Sequence, residues 1–255
     1  MLDGLLTSQG KPQVKGLAIA TNEVDIWQID LAGTGEGIRQ CRRLLSSDEV
    51  QRADRFYFDR DRVRFTVARA AMREILGYYA GLAPQHLRFS YGSKGKPELS
   101  GGLQESRIRF NLAHSLELAL LAVTHGLTVG VDIERVKSDF VTDDIAEHSF
   151  SASELQALRS LPTGQRIEAF FSCWTRKEAY IKALGEGLSL PLDSFAVAFV
   201  PGIRAELLHV KANPAEVERW SMYDIAVKEG YKAALVVEGK GHLLRRMRWG
   251  WALPK

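Results

Sequence analysis

The sequence predicts an α+β protein made of two similar α/β halves, each a long helix packed on a mostly antiparallel sheet. Two helical segments both end in Leu-Gly and can be laid over each other, residues 65–77 and 173–185. Apolar segments with the character of strands follow both helices, residues 119–123 and 233–237. A repeat of this kind is typical of a chain that contains two related structural units with a cleft between them.

Composition limits the class of protein. Of the 255 residues, 45% are hydrophobic and 25% are charged, which is typical of a soluble globular protein with a sizeable core. This length fits one large domain or two of about 125 residues. We predict a boundary that gives an N-terminal half 1–127 and a C-terminal half 128–255. The net charge of +3 suits an anionic ligand or an acidic protein partner and is too small to indicate nucleic acid.

Targeting and redox signals point to the cytoplasm. Cys41 and Cys173 are far apart and lack metal-site spacing, so the sequence predicts neither a disulfide framework nor a zinc site. The first ten residues contain an early acid and no basic segment before an apolar run, so no signal peptide is predicted. No stretch approaches the roughly 20 apolar residues that span a bilayer.

The N-terminal half begins with a polar arm up to about Gly16 and then alternates in a way that predicts a strand over 23–31. Serines and acids at 45–49 mark a helix start, and a long helix is predicted over 64–76, ended by Gly77. Strands are predicted over 86–91, 107–115 and 119–123.

In the C-terminal half, an apolar run at 127–131 predicts a strand, and Ser151 with Glu154 marks a helix start. A second long helix is predicted from Arg166, ended by the glycines at 185–187. The tail predicts mostly antiparallel strands at 195–200, 206–210, 222–227 and 232–237.

Acidic side chains from two distant elements are the candidate metal ligands. On the second long helix, Trp174, Glu178 and Lys182 share one face because they are four residues apart. Asp132 and Glu134 share a face of a strand. Three carboxylates suit Mg²⁺, which takes phosphate oxygens and waters for its remaining positions, and Lys182 would then hold a phosphate. Alone, the helix pair would be an ordinary surface contact worth about 0.3–0.5 kcal/mol.

Basic and polar groups of the N-terminal half are candidates for binding an anion. The glycine-rich loop at 92–97 carries Lys94 and Lys96 and can hold an anion or nucleotide, although a charged turn is the alternative. His114 stands beside Ser115 at a strand end and can donate to phosphate. Of the six arginines between 52 and 69, most are expected to be solvated or paired with aspartates.

Taken together, four motifs closely resemble those of the 4′-phosphopantetheinyl transferases of the larger, surfactin-type class. The motifs are Lys94–Pro97, Phe110–Ser115, Gly130–Glu134 and Trp174–Lys182, and the likeness runs from about Leu45 through Phe195. The resemblance implies a pseudo-two-fold monomer with its active site between the halves. It also implies a holo-[acyl-carrier-protein] synthase activity, which moves the phosphopantetheine arm of coenzyme A onto a serine of an acyl or peptidyl carrier protein and releases adenosine 3′,5′-bisphosphate.

The resemblance assigns roles to individual residues. Asp132, Glu134 and Glu178 would hold Mg²⁺, which Mn²⁺ can replace, together with the pyrophosphate of coenzyme A. Lys182 would contact the same pyrophosphate. The remaining coenzyme A contacts implied by the motifs are Arg52, Ser93, Lys94, Gly95, Lys96, Pro97, Asn111, His114 and Ser115, with Arg52 and His114 meeting the 3′-phosphate. Ala113 stands where the family often has serine, which removes a hydroxyl contact and leaves the backbone N–H.

The chemistry that these residues would perform follows from their charges. A metal ion and a lysine neutralise charge on the pyrophosphate during displacement at the β-phosphorus. Glu178 is the predicted base for the carrier serine, directly or through water. Because carrier proteins present an acidic helix, we expect a basic surface with exposed apolar residues between Phe150 and Phe171 to receive them.

Two other functions share part of this pattern. A Mg²⁺-dependent phosphodiesterase or nucleotidyl transferase would need the three carboxylates and a lysine, but it has no need of the Lys94 loop or His114. A non-catalytic module that binds coenzyme A or carriers would be expected to have lost a ligand, whereas all three carboxylates and Lys182 are present.

Overall fold

Two long helices and the sheets beneath them organise the chain in the computed structural model, which describes residues 17–103, 106–137, 142–185 and 190–250. The predicted arm before Gly16 and most of the predicted 185–187 helix end lie outside these residues. None of the described helices combines the length and apolarity that a membrane span requires.

Along its described residues, the first half has one strand, then three helices, then four strands. Its elements are β1 Glu23–Asp30, α1 Gly35–Leu44, α2 Ser47–Asp54, α3 Asp59–Ala80, β2 Arg88–Tyr91, β3 Pro97–Ser100, β4 Ile108–Ser115 and β5 Leu118–His125. The second half follows the same general order. Its elements are β6 Val129–Arg135, α4 Thr142–Ser149, α5 Ala152–Ser160, α6 Thr163–Leu184, β7 Phe195–Val197, β8 Leu207–Val210, α7 Glu216–Arg219, β9 Trp220–Asp224, β10 Tyr231–Glu238 and β11 Leu243–Trp249.

The predicted α+β class with mostly antiparallel sheets is confirmed. A four-stranded sheet has the order β11-β1-β5-β4 and a three-stranded sheet the order β6-β10-β9, with two hairpins, β2-β3 and β7-β8. Every described pairing is antiparallel except that of β1 with β11. The strand β11 therefore brings the end of the chain into the sheet of the first half. The division into 1–127 and 128–255 stays a prediction. The strand β11, which follows residue 128, pairs with β1 of the first half.

The hydrophobic core has three layers that follow from strand alternation. One face of β5 packs with α3 through Leu121 and Val123, while Leu120 and Ala122 on the other face join Val131 of β6 in a cluster between the two sheets. The outer face of the second sheet packs on α6 in a third cluster. Each long helix thus covers the outside of one sheet, and the sheets face each other.

The two long helices match in length, but the predicted end of the first was wrong. Both contain 22 residues and both stop at a glycine with positive φ, Gly81 at +64° and Gly185 at +75°. Gly77 lies inside α3. A side chain is excluded at this position because a Cβ would lie 2.7 Å from the carbonyl oxygen of Leu82. Gly77 thus allows the chain after α3 to approach the helix closely. In the sequence, a glycine required for this tertiary contact looks the same as a glycine that ends a helix.

The expected exposed apolar surface between Phe150 and Phe171 was also wrong. Phe150, Phe170 and Phe171 are all buried, at 2%, 1% and 5% exposure, and they pack in the core around α6. The largest exposed aromatic side chains of the described chain lie elsewhere, at Tyr57 and Phe58 just before α3.

Candidate active site

The strand β6 lies directly against the helix α6, and this contact positions the candidate carboxylates. Val131 and Ile133 point into the core between the sheets, so the alternate residues Asp132 and Glu134 project towards α6. Gly130 makes the close approach feasible, because a Cβ there would lie 2.1 Å from the carbonyl oxygen of Ala179. Side chains from one strand and one helix therefore meet in a narrow space.

Asp132 is the most buried carboxylate of the site. The residue is only 3% exposed. The Lys182 ammonium on α6 donates to Asp132 Oδ1 at 2.5 Å. Oδ2 is buried and has no hydrogen-bond partner within the described structure. Burial raises the pKa of Asp132, against the charge and hydrogen bond of Lys182. The second oxygen is thus an unused acceptor at the centre of the site.

Glu134 is held by Ser115 of β4. The Ser115 hydroxyl donates to Glu134 Oε2 at 2.8 Å and accepts from the Arg135 backbone N–H at 3.0 Å. Burial raises the pKa of Glu134, the Ser115 hydrogen bond opposes this, and the negative charge of Asp132 adds to it. Ser115 therefore orients a carboxylate, and its predicted contact with coenzyme A stays a prediction.

Glu178 faces the same space from the helix. Burial is the largest cause of its raised pKa, and the negative charge of Asp132 raises the pKa further. The charge of Lys182 lowers this pKa, and that of Glu134 raises it by a smaller amount. The charge of Lys182 is disfavoured by burial, but Asp132, Glu178 and Glu134 outweigh this and raise its pKa. Three carboxylates and one ammonium thus interact electrostatically in a single cluster.

The donor chemistry of this cluster fits a divalent cation. In the described chain, no three His, Cys, Asp or Glu side chains are already close enough together to hold a metal ion. Mg²⁺ does not require such a cage, since it is usually bound by one or two carboxylates, waters and substrate phosphates. The unpartnered Asp132 Oδ2 and the mutual repulsion of the carboxylates are features that a cation would relieve. The residues present therefore fit Mg²⁺.

A group of basic residues borders the cluster. His114 lies at the exposed rim on β4, and partial burial, then the charges of Lys182 and Arg64, lower its pKa. Arg64 of α3, paired with Asp61 at 3.3 Å, is one of the six clustered arginines, and the sequence alone did not single it out. Its one sequence signal is that it is the last arginine before the buried run of α3. Arg52, the arginine predicted to contact coenzyme A, is exposed. Its guanidinium carbon lies 5.3 Å from the ring centroid of Phe65, the residue that follows Arg64.

The glycine-rich loop forms a tight turn between β2 and β3. The Gly92 N–H donates to the Lys96 carbonyl at 3.0 Å, and Gly95, with φ of +79°, donates to the Gly92 carbonyl at 2.8 Å. Ser93 and Lys94 are exposed at its tip, and β3 begins at Pro97. The coenzyme A contacts assigned to these residues and to Arg52 stay predictions.

Two predicted ligand residues are committed to the protein itself. The Asn111 carboxamide oxygen accepts from the Val131 N–H at 2.8 Å, which joins β4 to β6. The Lys96 ammonium donates to the Lys182 carbonyl at 2.6 Å and the Val129 carbonyl at 3.2 Å. The Lys96 ammonium thus points at the backbone of the second half. The coenzyme A contacts assigned to Lys96 and Asn111 stay predictions.

Comparisons with known proteins indicate one family. A family model described as "4′-phosphopantetheinyl transferase superfamily" matches residues 128–236, and one described as "4′-phosphopantetheinyl transferase, N-terminal" matches residues 32–126. The chain is similar to 4′-phosphopantetheinyl transferase HetI of Nostoc sp., with 38% identity over 230 residues, or 90% of this chain and 94% of the relative. It is also similar to 4′-phosphopantetheinyl transferase psf-1 of Bacillus pumilus, with 31% identity, covering 80% of this chain and 87% of the relative.

Among solved structures, an ACPS-CoA complex of Chronobacterium ammoniagenes aligns with 45% of this chain and 98% of its own, at a TM-score of 0.33 and 20% identity. The two family models match adjacent segments on either side of residue 127, and the similarity to HetI extends over nearly the whole of both chains. The chain belongs to the 4′-phosphopantetheinyl transferase family.

Proposed function

We propose that this protein transfers the 4′-phosphopantetheine moiety of coenzyme A to a serine of an apo acyl or peptidyl carrier protein, with release of adenosine 3′,5′-bisphosphate. Family membership supports the reaction. The observation that carries the residue roles is the convergence of Asp132 on β6 with Lys182 and Glu178 on α6. These groups come from distant parts of the sequence and interact in one cluster.

In this proposal, Asp132, Glu134 and Glu178 hold Mg²⁺, for which Mn²⁺ can substitute. The bound ion would neutralise negative charge on the coenzyme A pyrophosphate. The protein supplies the remaining charge through Lys182, whose raised pKa keeps it protonated at neutral pH. Since phosphoryl transfer depends mainly on positioning and electrostatic stabilisation, a fixed ammonium beside the pyrophosphate is the contribution expected of this helix.

Glu178 is our candidate for the group that takes the proton of the carrier serine. A serine hydroxyl is a weak nucleophile, and Glu178 is a carboxylate of this cluster that can accept its proton. The proton moves from the serine Oγ to a Glu178 carboxylate oxygen, directly or through one water, while the oxygen attacks the β-phosphorus and the bond to the leaving phosphate breaks.

The groups around His114 are proposed to bind the adenosine end of coenzyme A. His114, Arg64 and the exposed Arg52 would meet the 3′-phosphate, and the loop at 92–97 would contact the nucleotide. Because the pKa of His114 is lowered, its neutral ring contributes a hydrogen-bond donor, and the arginines contribute the charge.

We further propose a monomer that acts in the cytoplasm. Both elements that carry the candidate ligands, β6 and α6, belong to one chain, so a second copy is not needed to complete the cluster. The two cysteines are buried free thiols, which suits a reducing compartment.

The test is incubation with coenzyme A and several apo carrier proteins, with and without Mg²⁺, followed by intact-mass spectrometry. We expect one carrier to gain the mass of phosphopantetheine only when a divalent cation is present. Hydrolysis of coenzyme A without mass gain on any carrier would favour the phosphodiesterase alternative, and binding without either reaction would favour the non-catalytic module. Carriers from fatty-acid, polyketide and peptide synthesis should all be included.

A further inference from the structure

Lys96 connects the two halves of the molecule at the candidate active site. It belongs to the β2–β3 loop of the first half, yet its ammonium donates to three backbone carbonyls of the second half: Lys182 at 2.6 Å, Val129 at 3.2 Å and Ala183 at 3.4 Å. Two of these carbonyls form the last turn of α6, and the third begins β6. One side chain therefore bridges both elements that carry the candidate carboxylates.

The end of α6 is a favourable place for this ammonium. The last carbonyls of a helix have no partners within it and form the negative end of the helix dipole, so a cation there is stabilising. Burial lowers the pKa of Lys96 to about 8, with Glu98 raising it and Arg109 lowering it by smaller effects. The group thus keeps most of its charge at neutral pH while bound to backbone oxygens.

The spacing of the site depends on the two elements that Lys96 joins. Asp132 lies three residues after Val129 on β6, and Glu178 lies one turn before Lys182 on α6. Gly130 brings these elements so close that a Cβ would collide with the helix backbone. A bond that fixes the end of α6 on the start of β6 therefore also fixes the distance from Asp132 to Glu178 and Lys182.

We propose that Lys96 is a positioning residue, whose ammonium sets the geometry of the cation site by fixing the end of α6 against β6. This inference rests on the proposed function. It reassigns Lys96 from a contact with coenzyme A to a bond within the protein. It also links the two proposed ligand sites, because Ser93 and Lys94 of the same short loop are exposed and are proposed to contact the nucleotide.

The experiment compares K96M, which keeps the length of the stem without the ammonium, with K96R, which keeps a cation. K240M is the matched control, because Lys240 donates to the carbonyls of Val217 in α7 and Trp220 in β9, away from the candidate carboxylates. Mn²⁺ would be titrated with saturating coenzyme A and no carrier, following the electron paramagnetic resonance signal of the free ion. Carrier modification would then be measured over a range of coenzyme A concentrations.

We expect K96M to weaken Mn²⁺ binding about 10- to 100-fold, as is typical when an outer group that orients metal ligands is lost, and to lower kcat with little change in KM for coenzyme A. K96R should recover most of both losses, and K240M should match the wild type. If K96M melts below the assay temperature, K96Q replaces it.

Unchanged Mn²⁺ affinity and kcat in K96M would overturn the inference, as would a rise in KM for coenzyme A alone or equal losses in K96M and K96R. Failure of the wild type to modify any carrier would contradict the proposed function. The Mn²⁺ comparison would still test Lys96, and absence of Mn²⁺ binding by the wild type would overturn the inference itself.

Discussion

The Lys182 ammonium lies 2.5 Å from Asp132 Oδ1 and donates to it, whereas the buried Oδ2 has no hydrogen-bond partner among the described residues. Lys182 is 31% exposed at its side chain, whereas the Asp132 side chain is 4% exposed. The carboxylate on the strand is thus buried, whereas the ammonium on the helix is partly open to solvent. A ligand can reach the ammonium while the carboxylate stays fixed.

Replacing Lys182 by methionine should lower both stability and transfer. The change leaves Asp132 buried without its partner, a situation that costs about 3–5 kcal/mol for a fully buried pair and less here because Lys182 is partly exposed. Transfer should fall about 10²-fold or more, because a fixed charge beside the pyrophosphate is lost. Urea denaturation and the carrier mass assay measure the two effects.

The double variant D132N/K182M provides the control for the stability part. Because it removes both charges, it should be more stable than K182M alone. If K182M were as stable as the wild type, the pair would contribute nothing, and the carboxylate would have another source of compensation.

The Glu178→Gln change tests the proposed base. Glutamine keeps the size of the side chain but cannot take a proton, so transfer should fall by about 10²–10⁴-fold, the usual range for loss of a general base. Binding of coenzyme A, measured by titration calorimetry, should be largely intact. The control is E168Q on the same helix, where Glu168 pairs with Lys232 at 3.0 Å on the surface. Near-normal transfer by E178Q would show that the base is a different group.

Sequence patterns predicted the secondary structure where the cause was local. The end of α6 at Gly185 and the strands of the tail follow from helix-stop and alternation signals that act within a few residues. The predicted helix end at Gly77 was wrong. Glycine is needed there because a Cβ would collide with the carbonyl oxygen of Leu82, and the helix continues past it. The strand β11 was missed because its arginine-rich sequence forms a strand by pairing with β1 from the other end of the chain.

For the candidate site, motifs indicated which residue types belong together but not where their hydrogen bonds go. Asp132, Glu134, Glu178 and Lys182 were chosen from spacing, and each of them shifts the pKa of at least one of the others. The direction of the Lys96 side chain depends on the distance between two halves of the fold, which no local pattern encodes. The same holds for Arg64, whose proximity to His114 arises only when α3 packs beside β4.

Gly130 should not tolerate alanine. A Cβ at this position would lie 2.1 Å from the Ala179 carbonyl oxygen and 2.3 Å from the Ala183 nitrogen, so α6 would have to move away from β6. We expect G130A to cost about 1–3 kcal/mol of stability and to reduce transfer about 10²-fold, the effect of a displacement near 1 Å at an active site. The control is G164A in the first turn of α6, where no atom lies within 4 Å of the added Cβ.

The control variant should be as stable as the wild type or more stable, by up to about 1 kcal/mol, because alanine is a better helix residue than glycine. Thermal unfolding and the mass assay compare the two. Equal stability of G130A and G164A would mean that α6 and β6 are not in the close contact described.

The buried carboxylate Glu49 should make stability depend on pH. It is 3% exposed, caps the start of α2 and accepts hydrogen bonds from two arginines of α3, Arg69 Nε at 2.8 Å and Arg73 Nε at 2.5 Å. Burial opposes its ionisation, but the Arg73 hydrogen bond and the charges of Arg69 and Arg73 hold its pKa below the ordinary value of 4.5. Its contribution to stability is therefore complete above pH 4.5 and is lost as the pH falls through the lowered pKa.

The E49Q variant leaves two buried guanidinium groups without a negative partner, so we expect a loss of about 3–5 kcal/mol at pH 7. The difference from the wild type should narrow as the pH falls below 4.5, since the wild-type carboxylate is then neutralised as well. Urea denaturation between pH 7 and pH 3 measures this, with E147Q as the control because Glu147 and Arg159 form an exposed pair. A difference that stays constant down to pH 3 would contradict the lowered pKa, and equal stability of E49Q and E147Q would mean that the Glu49 cluster does not hold α2 to α3.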